Sequence, residues 1–171
     1  MPIPNLPPCS RPRWTRRAFA PVISVYRLLR EEFGEVVRLL RERGFTGANV
    51  TVPHKQAACS LCNDTDALSR VTGSVNTLVF QKDGSVSGFN TDGPGFARAI
   101  REEFSVDLRD LKVALLGSCG GAGLALAYTC AMQRCERLTL AGRSEEKLQE
   151  LKNRLSSFSL TNTGWKEPPT A

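Results

Sequence analysis

Lys112-Val113-Ala114-Leu115-Leu116-Gly117-Ser118-Cys119-Gly120-Gly121-Ala122-Gly123 decides the fold. The apolar run Val113–Leu116 has the composition of a buried strand. Glycine punctuation follows, and a small-residue helix is expected over about 121–132. Arg137–Ala141 reads as the next strand. Ser144 then caps a helix from 145 to about 156 through Leu148, Leu151 and Leu155. Strand, glycine turn, helix, strand, helix is the opening of a dinucleotide-binding half. Glycines suit such a turn because it is tight and lets a pyrophosphate approach bare backbone at a helix N-terminus, where N–H groups are free. A glycine turn by itself also reads as simple packing between strand and helix. The strand before it and the helix after it favour the binding role.

Working downstream, the second strand ends at Ala141-Gly142-Arg143-Ser144. An acid here would accept hydrogen bonds from a ribose 2′-hydroxyl, as in NAD sites. An arginine suits a 2′-phosphate through charge-assisted, bidentate contacts. Arg143 therefore favours NADP, although a solvated arginine at a helix start has the same sequence.

Upstream, residues 21–104 mix strands and helices and form a separate lobe. A strand is expected over 21–29, where β-branched residues follow Pro21. A helix is expected over 31–43, with Phe33, Val36, Val37, Leu39 and Leu40 on one face and Gly44 at C′. Ala48–Val52 is expected as a strand. Pro53 is expected at a first helical position, opening a helix over 54–62. Asp64–Val71 reads as a short helical turn. Val75–Gln81 and Ser85–Phe89 read as a hairpin through Lys82-Asp83-Gly84. Residues 93–104 read as an amphipathic helix facing inward through Phe96, Ala99, Ile100 and Phe104.

Three segments of this lobe carry chemistry: Gly47-Ala48-Asn49-Val50-Thr51-Val52-Pro53-His54-Lys55, Gly73-Ser74-Val75-Asn76-Thr77-Leu78 and Gly88-Phe89-Asn90-Thr91-Asp92-Gly93. In this order and spacing they closely resemble the substrate lobe of the shikimate dehydrogenase family, and the resemblance covers about residues 22–156. It implies a small mixed α/β substrate lobe followed by the start of a Rossmann-type dinucleotide-binding domain. It also implies NADP-dependent, reversible reduction of 3-dehydroshikimate to shikimate, on the route to chorismate and the aromatic amino acids. Lys55 would be the catalytic lysine and Asp92 its partner. Asn76 and Thr51 would bind substrate, and Asn49, Asn90 and Thr91 would line or shape the same cleft. Gly117, Gly120, Gly121, Gly123, Arg143 and Ser144 would hold the cofactor.

The chemistry of the residues agrees. Interconverting an alcohol and a ketone by hydride transfer needs a proton donor or acceptor on the oxygen. A lysine ammonium supplies one, and a carboxylate orients it. A polyhydroxylated substrate wants asparagine and threonine partners, because a pocket of hydrogen bonds rejects analogues lacking the hydroxyls. Taken singly, Lys55 also reads as a solvated helix-start lysine and Asp92 as an N-cap.

The chain departs from the family pattern in three places. No Ser-x-Ser segment for the substrate carboxylate precedes Val22. The glycine turn carries one residue more than G-x-G-G-x-G. After the second strand of the dinucleotide unit, residues beyond Ser157 lose periodicity. The expected organisation is a disordered head (1–20), a substrate lobe (21–108), a partial NADP-binding unit (109–158) and a disordered tail (159–171), truncated at both ends. The alternatives are an inactive fragment of such an enzyme, or a quinate/shikimate dehydrogenase.

Charge placement tests the remaining classes. The net charge is +6, and residues 1–30 hold six arginines (Arg11, Arg13, Arg16, Arg17, Arg27, Arg30) and no acid, so the head carries the whole excess. A basic head suits a nucleic-acid arm or an organelle presequence. Its only aromatics before residue 20 are Trp14 and Phe19, with no nucleic-acid motif, and an unpacked proline-rich segment explains it better. No run approaches the ~20 apolar residues of a membrane span. No apolar segment of secretory type follows the N-terminal charges, so a cytoplasmic, reducing setting with free thiols is expected. Cys59-Ser-Leu-Cys62 has metal-ligand spacing but no second ligand pair, and its apolar surroundings favour buried small residues over zinc. The expected partner is a small-molecule substrate, with no nucleic acid, membrane or metal; length alone leaves the oligomeric state open.

Overall fold

A computed structural model describes residues 28–158. The head, the tail and most of the strand expected over 21–29 lie outside the described residues.

Helix α1 (Phe33–Glu42) buries Phe33, Val37 and Leu40, the i, i+4, i+7 stripe of the expected face. It ends as foreseen: Gly44 has φ 79°, and the Gly44 and Phe45 amides bond back to the carbonyls of Arg41 and Leu40. Strand β1 (Gly47–Asn49) is shorter than expected. The Val52–Pro53 peptide is cis, and the His54 amide bonds to the Thr51 carbonyl at 2.9 Å. That bond closes a turn ahead of helix α2 (Lys55–Leu61), so Pro53 belongs to the turn and Lys55, not Pro53, is the first helical residue.

The helical turn expected from Asp64 begins three residues late. Asp64–Thr65 form strand β2, and helix α3 (Ala67–Thr72) starts only after Asp66, whose carboxylate caps it. Strands β3 (Thr77–Phe80) and β4 (Val86–Phe89) form the hairpin. The sheet order is β1-β3-β4-β2, antiparallel except for β4 with β2. Its core joins Phe33 and Val37 of α1 to Val50, Ala58, Val75, Leu78 and Val86.

Helix α4 (Asp92–Phe104) turns only part of the expected face inward, with Phe96 and Ile100 packed against the core. Gly93 and Ala97 are buried, while Ala99 is exposed and Phe104 is 64% exposed. The cause is helix α5 (Gly121–Met132), which packs against α4. A Cβ on Gly93 would overlap the Thr129 side chain and Leu68, so glycine permits the close approach.

Strands β5 (Lys112–Leu116) and β6 (Arg137–Ala141) pair in parallel, Val113 opposite Leu138. Helix α6 (Glu145–Leu155) follows and buries Leu148, Leu151 and Leu155. The expectation that Val113–Leu116 is a buried strand needs correction: Leu115 is buried, but Leu116 is 86% exposed. Alternate residues of a strand face opposite sides, and β5 has β6 as its only paired neighbour among the described residues. The larger core joins α5, β6 and α6 to Leu68 of α3 and Ala97 of α4. It therefore crosses the boundary expected near residue 108. No helix among the described residues is long and apolar enough to cross a membrane.

Candidate active site

Lys55 opens α2, and Asp92 opens α4. A carboxylate in a first helical turn is favoured by the helix dipole and a lysine is not, so the pair offsets the unfavourable placement of Lys55. The Lys55 Nζ lies 2.5 Å from Asp92 Oδ2, with side chains 12% and 24% exposed. The other oxygen, Oδ1, accepts from Asn76 Nδ2 at 2.7 Å.

Asn76 is held in turn. Its Oδ1 accepts from the Thr91 amide at 3.0 Å, from Thr91 Oγ1 at 3.1 Å and from Thr77 Oγ1 at 3.0 Å. Thr77 Oγ1 also lies 3.4 Å from Asn49 Oδ1. These contacts orient the Asn76 amide with its NH2 toward Asp92.

Asn90 lies beneath the pair rather than on the cleft wall. It is 1% exposed. Its Nδ2 donates to the Ser74 carbonyl at 2.9 Å, and its Oδ1 accepts from the Asp92 amide at 3.1 Å. It shapes the turn that presents Asp92. Asn90→Ala leaves both backbone groups without these partners and is expected to cost about 1–3 kcal/mol, measurable by urea unfolding. Unchanged stability would show that Asn90 is not needed to hold the turn. Thr51 and Asn49 are exposed. Thr51 makes no side-chain bond to the Lys55–Asp92 pair.

The glycine turn stands opposite. Gly117 has φ 80°, a conformation that favours glycine. The amides of Gly117 and Ser118 both donate to the Ala141 carbonyl, at 2.8 and 3.1 Å. A Cβ on Gly123 would overlap Gly117 and Ser118, so the first helical turn lies tight against the loop. Gly120 caps α5 in extended conformation, and the first amides of α5 have no intrahelical partners. A Cβ on Gly121 would sit 4.0 Å from Lys55 Cδ, which places the turn next to the lysine.

Two cavities flank this turn. One, of about 250 Å³, lies between the lobes and is lined by Lys55, Gln56, Arg30, Ser74, Cys119 and Gly120, among others. The second, of about 700 Å³, runs along the ends of β5 and β6 past Gly117, Cys119, Arg143, Ser144 and Lys147. It holds two cations and no acid. The Ser144 hydroxyl accepts from the Lys147 amide at 3.4 Å, capping α6.

The structure thus joins Lys55, Asp92, Asn76 and Thr91 by direct bonds and gathers Gly117, Gly120, Arg143 and Ser144 on one cavity. Sequence reasoning missed Thr77 and Lys147. Both were signalled: Thr77 follows Asn76 directly, and Lys147 lies one helical turn after Arg143. Cys59 and Cys62 lie at the end of α2. Cys62 Sγ donates to the Ala58 carbonyl at 3.1 Å, and burial pushes its thiol up to about 11. Among the described residues, no group of three or more His, Cys, Asp or Glu is placed to hold a metal.

The fold and site define a class: an α/β protein whose mixed lobe faces the opening of a Rossmann-type dinucleotide unit. Residues 16–78 match the family model of the shikimate dehydrogenase substrate binding domain. The chain is 38% identical over 125 residues to the NADP(+) shikimate dehydrogenase of Methanopyrus kandleri, covering 73% of this chain and 42% of the relative. It is 41% identical to that of Bacillus cereus, covering 72% and 44%. Among solved structures, shikimate 5-dehydrogenase from Thermus thermophilus in complex with NADP(H) and shikimate superposes with a TM-score of 0.64 at 30% identity, covering 74% of this chain and 46% of that one. Quinate dehydrogenase from Corynebacterium glutamicum in complex with NAD gives a TM-score of 0.64 at 30% identity. Over about 72% of its length the chain matches the shikimate dehydrogenase family. It spans less than half the length of the curated relatives it matches.

Proposed function

We propose that the chain carries the substrate lobe and the first part of the cofactor unit of an NADP-dependent shikimate dehydrogenase. Its reaction is the reversible reduction of 3-dehydroshikimate to shikimate, on the route to chorismate. The observation that carries this proposal is the 2.5 Å Lys55–Asp92 contact, held by Asn76 and set beside the glycine turn.

Lys55 donates the proton to the ketone oxygen as it becomes a hydroxyl, and takes it back in the reverse direction. Asp92 holds the ammonium in place, and Asn76 fixes the carboxylate. Thr51 and Asn49, exposed at the rim, are free to meet substrate hydroxyls. When bound, NADPH supplies the hydride. The residues present fit that cofactor. Gly117, Gly120 and Gly121 would leave backbone bare for the pyrophosphate and Gly123 lets the helix lie against the turn, while Arg143, Ser144 and Lys147 would hold the 2′-phosphate. The two cations favour this over the NAD-using quinate enzymes. The five described cysteines are free thiols, which supports a cytoplasmic setting.

The test is reduction of NADP by the chain with shikimate as donor, followed by near-ultraviolet absorbance. Turnover supports the proposal; none from folded, soluble protein overturns the claim of activity for this chain. Cofactor choice is tested separately. Arg143→Ala loses hydrogen bonds to a charged group, worth about 1.5–3 kcal/mol. NADP binding should weaken by roughly tenfold to a hundredfold, with NAD binding little changed, as read by calorimetric titration of both. Equal losses for the two would remove Arg143 from the 2′-phosphate site.

A further inference from the structure

Helix α5 ends in a cap that sets two cysteines against each other. Arg134 follows the helix with φ 54°. The Arg134 amide donates to the Ala131 carbonyl and the Cys135 amide to the Cys130 carbonyl, both at 3.0 Å. This pair of bonds around a left-handed residue is a Schellman cap, and the two residues joined by its longer bond meet through their side chains. Here those residues are Cys130 and Cys135. They are 0% and 4% exposed and belong to the same core. The Cys135 thiol donates to the Arg137 carbonyl at 3.5 Å. Burial pushes both thiols up, that of Cys130 to about 12, and the neighbouring Cys135 adds to that push. A left-handed backbone costs a residue other than glycine free energy, so the cap is strained at Arg134. Met132, Gln133 and Arg134 are exposed. The helix end therefore opens locally at this cap, and opening uncovers both thiols.

We propose that Cys130 and Cys135 are a reversible disulfide pair, closed by exchange with small disulfides of the glutathione class, that staples the end of α5 to the segment entering β6. The step runs as two exchanges. With the cap open, the Cys135 thiolate attacks one sulfur of oxidised glutathione. The Cys135–glutathione bond forms, the glutathione disulfide breaks, and one glutathione leaves as a thiolate. The Cys130 thiolate then attacks the Cys135 sulfur. The Cys130–Cys135 bond forms and the second glutathione leaves. The two protons lost by the cysteines go to the two glutathione thiolates, so two cysteines are oxidised and one disulfide is reduced. The closed bond constrains the unfolded chain and ties the cap shut. Exchange is slow in the closed cap, because buried thiols with raised ionisation are poor nucleophiles.

The full chain would be incubated with oxidised glutathione, its free thiols alkylated, and the product cut with trypsin and mapped by mass spectrometry. Cleavage after Arg134 separates the two cysteines, so their bond appears as a pair of linked peptides. The expected result is that linkage, removed by dithiothreitol, with a higher urea midpoint for the oxidised chain than for the reduced one. Cys130→Ala should show neither the linkage nor the rise. Arg134→Gly relieves the left-handed position, so it should keep the cap closed and slow the oxidation several-fold. Free Cys130 and Cys135 after prolonged treatment, or linkage of either to another cysteine instead, overturns the proposal. A linked chain no more stable than the reduced one overturns the staple, and Arg134→Gly oxidising as fast as the parent overturns the cap as the route.

Discussion

Lys55→Ala is expected to lower turnover by about 100- to 10,000-fold, the range contributed by a positioned general acid. The loss should fall on kcat, because in the proposed function Asn49 and Thr51 remain to meet the substrate hydroxyls. The fold should persist. The amide of Asp92 stays bonded to Asn90 and its Oδ1 to Asn76, so the turn that carries the carboxylate keeps its supports. Steady-state rates beside a urea unfolding curve separate the two effects. A variant that is folded and still turns over within a few-fold of the parent would remove Lys55 from the proton transfer.

Leu138→Ala is expected to destabilise the chain by about 2–5 kcal/mol, the cost of emptying a filled core position. Leu138 is fully buried in β6, opposite Val113 of β5, in the core shared with α5 and α6. Against a total stability of roughly 5–15 kcal/mol for a domain, that is a large fraction. It should appear as a lower urea midpoint with an unchanged slope. Leu116→Ala, on the 86% exposed neighbour strand position, should stay within about 0.5 kcal/mol of the parent. Equal effects at the two positions would mean that the exposed face of β5 is covered in solution.

The local elements were largely legible in the sequence. Helix α1, the Asp83-Gly84 hairpin and the strand–turn–helix at Gly117 depend on near-neighbour rules: apolar spacing, turn glycines and capping hydroxyls. Lys55 and Asp92 were legible too, through the motifs around them. Their pairing was expected from the family resemblance, but its geometry was not, since it joins residues 37 apart along the chain and depends on how α2 and α4 are set against the sheet. The start of α2 was misplaced because the Thr51–His54 turn competes with the preference of proline for a helix start.

The sequence by itself determined which residue types stand at each helix start and glycine turn, because capping, backbone freedom and periodicity act over a few residues. Only the tertiary structure decided which face of α4 is buried, that Asn90 lies under the site while Asn76 clamps Asp92, and that Cys119 stands between two cavities. Those outcomes depend on which surfaces meet, and packing between distant segments has no near-neighbour signature.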